Sequence, residues 1–372
     1  MLGFLIYQYG NPYLPTYIKS RIYIDLSVKD NYEVEYEKLI RNIFNKPLYR
    51  KPALGSKSEW LENEKVDLSS IRDLIKQTRN YTGDNPIKAG FLMRRCVDEF
   101  MHALMAYVPS DKKLYDEALL IQIDEMKTLR DLFIEYVEAL IYADLDVITI
   151  IPMMFEQFYN ATHAGDEKNI NSINTEFYNF FIWELFICIT SILLYYELYE
   201  ELYKILNHTY FLRELPYTKS VNAFNFVKFR TYFRTIEEVC KPKSEQPRLY
   251  TLAGEKHLKR ENKPIITKTS LATSDALLFQ LSLVFDLVND RGDYWFPTVY
   301  YAVSVPQPIW VKLQSRSYCK NIMPLFGVST IEELKNIISK CVSDRSARYR
   351  GSFETAPVIL DSIKLNEIGT LN

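Results

Sequence analysis

Phe177-Tyr178-Asn179-Phe180-Phe181-Ile182-Trp183-Glu184-Leu185-Phe186-Ile187-Cys188-Ile189-Thr190-Ser191-Ile192-Leu193-Leu194-Tyr195-Tyr196 is the stretch on which the fold turns. It is apolar almost all round, and its only charge is Glu184. A membrane-spanning helix needs ~20 consecutive apolar residues, and shorter runs more often make core helices. With Glu184 in place, the longest charge-free run in the stretch is Leu185 to Tyr196. The stretch therefore predicts a helix over about Thr175–Leu206, buried in a globular core rather than in lipid.

A carboxylate in the middle of such a helix must be paired or neutralised. Glu184 is accordingly a candidate ligand anchor or one half of a buried ion pair, with Arg230, Arg234 and Arg248 as candidate cations. The blander alternative puts it on a polar stripe of the helix with Thr175 and Glu176.

Outward from this helix, most of the chain repeats helical spacing. Leu68, Ile71 and Ile75 form a short stripe. Asp84-Asn85-Pro86 is a helix start, a capping side chain followed by proline in the first turn, and that helix runs to about Ala106. The longest helical reading is Asp111 to Ala143, with Leu129, Phe133, Tyr136, Val137 and Leu140 on one face. Further helices are predicted over Asp146–Thr162, Leu271–Val288 and Thr330–Val342. A strand is expected at Ile309–Leu313, and beyond Ser343 the chain reads as a polar, loosely held tail.

The composition is that of a globular chain: 372 residues, 48% hydrophobic, 25% charged, net charge -2. Nothing in that balance favours nucleic acid or an anionic membrane. The five cysteines, Cys96, Cys188, Cys240, Cys319 and Cys341, are scattered and never spaced as zinc ligands. They read as reduced thiols of a cytoplasmic protein. Dinucleotide, phosphate-loop, nucleophile-elbow and zinc-protease motifs are all absent from the sequence. Asp98 and His102 share a helix face but supply too few ligands for a metal, and no metal site is expected.

Two segments mix basic and other residues suggestively. Phe224, Phe226, Phe229, Tyr232 and Phe233 surround Lys228, Arg230 and Arg234. Such interleaving can stack single-stranded nucleic acid, but the near-neutral chain favours a core segment with a solvated edge. Lys256, His257, Lys259, Arg260, Lys263 and Lys268 could meet a phosphate-bearing ligand, and a charged surface loop is the alternative reading.

The first sixty residues differ in character. Phe4–Tyr7 and Arg21–Leu26 are short apolar runs separated by thirteen residues, enough for a crossover between parallel strands. Neither alternates, as expected of strands covered on both faces. Tyr36, Leu39, Ile40, Ile43 and Phe44 then make one helical stripe. Lys51-Pro52-Ala53-Leu54-Gly55 is an extended exit.

In order and spacing, Phe4-Leu5-Ile6, Leu14-Pro15, Tyr23-Ile24-Asp25-Leu26, the Tyr36–Phe44 helix and the Pro52–Gly55 exit resemble the C-terminal part of a bacterial TIR (Toll/interleukin-1 receptor) domain. The remainder, including Trp183-Glu184-Leu185-Phe186 and Trp295-Phe296-Pro297, resembles the helical regions fused behind such domains in bacterial defence proteins. The resemblance implies a partial flavodoxin-like sheet of two parallel strands and a helix over residues 1–61. It also implies a sensor or oligomerisation domain over 62–345 and a polar tail over 346–372, so the chain as a whole is expected to be mainly α. Enzymatic members of the family cleave NAD with a glutamate on a helix before the fourth strand. The chain begins at that strand, so no catalytic residue carries over. NAD is then the substrate of a complete protein, not a cofactor of this chain. The expected partners are a second copy or a TIR-containing protein, without membrane or nucleic acid. The alternative is a non-enzymatic adaptor whose half-sheet a partner completes.

Overall fold

A computed structural model describes residues 32–43, 66–83, 85–107, 116–163, 172–214, 220–241, 252–260, 263–303, 308–343 and 358–372. The chain divides into two units, Met1–Glu64 and Lys65–Asn372. In the first, the described part is helix α1 (Tyr32–Ile43). Tyr32 and Tyr36 stack on its exposed side, with ring centroids 5.8 Å apart. Both expected N-terminal strands and the Pro52–Gly55 exit lie outside the described residues.

The second unit is mainly helical, as its periodicity predicts. It contains α2 (Ser69–Arg79), α3 (Pro86–Ala106), α4 (Asp116–Glu125), α5 (Lys127–Tyr142), α6 (Val147–Thr162), α7 (Ser172–Tyr195) and α8 (Tyr199–Leu206). A hairpin follows, β1 (Tyr210–Arg213) and β2 (Val221–Phe224). Next come α9 (Arg234–Cys240), α10 (Leu252–Lys259), α11 (Lys268–Val284), α12 (Thr298–Val303), α13 (Pro308–Val311), α14 (Arg316–Ile322), α15 (Ile331–Ser343) and α16 (Ile359–Ser362). The hairpin is antiparallel, pairing Tyr210 with Phe224 and Arg213 with Val221. It is the only sheet among the described residues.

Helix α7 is the axis of this unit. Helices α4, α5, α6, α8 and α11 pack around it. By length and composition it could cross a membrane, but 89% of its most apolar window is buried within the protein. Its neighbours supply aromatic packing. Phe186 meets Phe155 edge-on at 5.1 Å and stacks on Phe226 at 5.7 Å. Such pairs add roughly 0.5–1.5 kcal/mol each beyond the area they bury. Phe226, Phe229 and Phe233 are at most 1% exposed. The aromatic cluster singled out in the sequence thus faces the core, and only Tyr232 is open to solvent.

Several boundaries differ from the sequence reading. In the long Asp111–Ala143 segment, the described residues 116–143 make two helices, meeting at Met126. The helix expected to run to Leu206 stops at Tyr195, where Glu197 takes a left-handed conformation (φ 55°). The Leu198 amide then donates to the Leu193 carbonyl at 2.9 Å, a Schellman closure. Helices α5 and α11 end identically, with Asp144 (φ 51°) and Asp286 (φ 52°) left-handed. Their closing bonds are Leu145 N to Leu140 O and Leu287 N to Ser282 O. An acid stands in each case where glycine usually serves; the reading placed the α5 end at Ala143 all the same, but ran α7 and α11 past their stops.

The expected strand at Ile309–Leu313 is helical, α13 running into a 3-10 turn at Lys312–Gln314. The expected polar tail is also corrected for its last fifteen residues, 358–372. Ile359, Ile363 and Ile368 are at most 3% exposed. Leu371 forms a parallel bridge with Ser315, sealed by Arg316 N to Leu371 O at 2.7 Å. Three isoleucines spaced through a polar segment are enough apolar area to dock it.

Candidate functional site

Glu184 lies at the midpoint of α7 and is fully buried. Its Oε1 accepts from Arg130 Nη1 at 2.9 Å. The same oxygen lies 2.8 Å from His257 Nδ1 and 3.2 Å from Arg260 Nε. Arg130 comes from α5, His257 from α10 and Arg260 from just beyond α10, so one carboxylate oxygen joins three elements. Glu184 Oε2, His257 Nε2, Arg260 Nη2 and Trp183 Nε1 are buried without a hydrogen-bond partner among the described residues. The cluster therefore has more hydrogen-bonding capacity than its own ties use.

Electrostatics fixes the protonation states. Burial alone would raise the Glu184 pKa, but the guanidiniums of Arg260 and Arg130 and the bond from His257 outweigh it. The carboxyl is held well below the usual carboxylate range and is ionised. Burial lowers the His257 pKa more than Glu184 raises it. The imidazole is thus neutral, with Nδ1–H donating to the carboxylate. Cys188, one turn beyond Glu184, is pushed up by burial and stays a thiol.

The cluster reaches the surface through Asp131. Arg130 donates from Nε (2.9 Å) and Nη2 (2.6 Å) to Asp131 Oδ1. Lys127 donates to Oδ2 at 3.0 Å. Two buried guanidiniums thus face two carboxylates, Glu184 and Asp131, and the net charge is balanced. Asp131 lines a surface pocket of about 400 Å³, with Arg72, Ile75, Lys76, Arg79, Thr128, Leu132, Glu135 and Lys263. Lys263 pairs with Glu135 across it.

Helix α10 is held by polar contacts at both ends. Glu237 of α9 accepts from the amides of Leu252 (3.4 Å) and Ala253 (3.3 Å) at its N-terminus. Lys256 reaches Asp124 at 2.6 Å, and Arg260 Nη1 donates to the Ile123 carbonyl at 2.9 Å. Helix N-termini stabilise negative charge, and the same device recurs twice. Glu176 caps α9 through Thr235 N and Ile236 N. Asp275 caps α12 through Val299 N and Tyr300 N, and also accepts from Trp295 Nε1 at 2.8 Å. Burial raises all three carboxyls, Asp275 to about 6.

Of the residues flagged from sequence, Glu184 is in an ion pair, while two of the arginines proposed for it, Arg230 and Arg234, are engaged elsewhere. Arg230 donates to Phe296 O (3.0 Å) and Thr298 Oγ1 (2.6 Å), and its guanidinium lies over the Phe233 and Phe296 rings. Arg234 is on the surface, paired with Glu238 at 2.9 Å. Arg248 lies outside the described residues. Asp98 and His102 are both exposed on α3. Among the described residues no group of three His, Cys, Asp or Glu side chains could hold a metal. The Lys256–Lys268 segment is not a surface loop throughout: His257 is fully buried and Arg260 nearly so.

The sequence reading assigned Glu184 none of its true partners, Arg130, His257 and Arg260. A signal existed for the first. Arg130 sits between Leu129 and Phe133 on the apolar face of α5, where a charge needs a partner.

No family model matches the chain, and neither curated proteins nor solved structures yield a match.

Proposed function

We propose that residues 65–372 form the sensing part of a cytoplasmic TIR-type bacterial defence or signalling protein, and that this part responds to an occupant of the Asp131 pocket. The carrying observation is the polar connection from that pocket to α10. It runs from Asp131 to Arg130, then to Glu184, and from Glu184 to His257 and Arg260. Glu184 is closed to solvent and tied to three cationic or imidazole groups, so it suits a structural tie rather than a group that meets a substrate. Any occupant that competes for Asp131 or Lys263 bears directly on the contacts that seat α10.

Support for the TIR assignment comes from the sequence resemblance over 1–61. The chain also divides at Glu64, close to the end of that resemblance. On this reading NAD is cleaved by the complete assembly, and residues 65–372 decide when. The test uses cells carrying the gene with its native upstream sequence, challenged with phage. The reading expects cellular NAD to fall in the wild type and to stay level in Glu184→Gln at equal protein abundance. NAD that stays level in the wild type, or falls equally in the variant, would contradict it.

A further inference from the structure

We propose that the pocket between α2 and α5 binds a phosphate-bearing small molecule. This deepens the sensing reading by naming the chemistry of the input, and it depends on that reading only for what binding does afterwards. The pocket's volume, about 400 Å³, falls in the ~300–1,000 Å³ range of small-molecule sites.

Its lining holds more cations than carboxylates, with Glu138 outside the lining also acting on Arg79 and Lys263. Four cations, Arg72, Lys76, Arg79 and Lys263, line it against two carboxylates, Asp131 and Glu135. Neither carboxylate is idle: Asp131 already takes three bonds from Arg130 and Lys127, and Glu135 is engaged by Lys263. Three of the cations, Arg72, Lys76 and Arg79, share one face of α2 at helical spacing. Lys76 has only a long, solvent-exposed contact to Asp73, at 3.7 Å. A phosphate group offers acceptors that suit a forked guanidinium and an ammonium together.

The pocket also has an apolar floor. Ile75 and Leu132 are each 5% exposed and lie in its lining. Together with the Thr128 hydroxyl they give an organic portion a surface to rest on, so an organic phosphate fits better than the bare ion. Lys263, three residues beyond the cluster's Arg260, places one wall of the pocket on the segment that leaves α10.

The test is isothermal titration of the full chain with inorganic phosphate, glucose 6-phosphate, AMP and ATP, with glucose and adenosine as unphosphorylated controls. Saturable binding of at least one organic phosphate is expected, weakening as salt is raised. Affinity should fall tenfold or more in Lys76→Glu combined with Arg79→Glu. The neutral pair Lys76→Gln with Arg79→Gln should give an intermediate loss and, being on an exposed helix face, should leave the circular dichroism spectrum unchanged. Binding by none of the phosphates, equal binding of the controls, or affinity unchanged in both double variants would overturn the proposal. Failure of the sensing reading is separately visible. Binding that meets these criteria but leaves amide exchange in α10 unaltered upholds the pocket assignment and contradicts the sensing role.

Discussion

Glu184 shows how one side chain can decide a local architecture. Removing one member of a buried charge group leaves its partners uncompensated and typically costs about 3–5 kcal/mol. Glu184→Gln keeps the shape but leaves Arg130 and Arg260 without their shared counter-charge. Chemical denaturation at neutral pH should show a loss of that size. The pH sign follows from the lowered pKa. Its stabilising contribution is fully present above the ordinary carboxylate range and is lost progressively as pH falls from there to the depressed folded value. The gap between wild type and Glu184→Gln should therefore hold down to the ordinary carboxylate range, narrow steadily below it and close in strong acid. Asp275 carries the opposite sign. Its folded pKa is raised from 3.8 to about 6. Its contribution is fully present below the unfolded value and is lost as pH rises through the folded one. Relative to Asp275→Asn, the wild type should gain on the order of 2–3 kcal/mol between pH 7 and pH 4, at roughly 1.4 kcal/mol per unit. Parallel denaturation curves for the two proteins across that window would refute the assignment.

Two features at the scale of elements are open to the same treatment. Helices α5, α7 and α11 close on left-handed Asp144, Glu197 and Asp286. A left-handed backbone costs an L-residue about 1–2 kcal/mol, and an acid at a helix C-terminus also opposes the helix dipole. Asp144 is exposed, so Asp144→Gly should raise stability by about 0.5–1 kcal/mol, read as a higher melting temperature. An unchanged or lower value would show that Asp144 has a compensating role. Helix α10 packs so closely on the start of α12 that a Cβ at Gly254 would lie 2.5 Å from the Thr298 carbonyl oxygen. That neighbour is backbone and cannot swing aside. Gly254→Ala should destabilise by about 1–3 kcal/mol, as overpacking does, and thermal melting would detect it. Wild-type stability in that variant would mean that α10 is free to shift off α12.

Across the whole molecule, the helical character was legible because apolar periodicity survives any tertiary context. The Asn85 cap was legible for the same local reason: its Oδ1 accepts from Ile87 N and Lys88 N, as Asn85-Pro86 announces. What escaped depended on distant sequence. The α7 stop was concealed by an acid in glycine's place. The C-terminal docking rests on Ser315 and Leu371 meeting across 56 residues of chain. Glu184 was legible as a buried charge, since any carboxylate inside such a run needs a partner. Its partners were not, because Arg130 and His257 lie 54 and 73 residues away and no spacing rule links them. Asp275, another carboxylate in an apolar run, carried the same signal and serves to cap α12 instead. The account stands on the claim that Glu184 seats α10 on α5 and α7. Hydrogen–deuterium exchange of the amides in Leu252–Lys259 tests it most directly, comparing wild type with Glu184→Gln under native conditions. Faster exchange confined to α10, with α6 protected as in the wild type, is the predicted result; unchanged exchange in α10, or uniform acceleration through both helices, would contradict it.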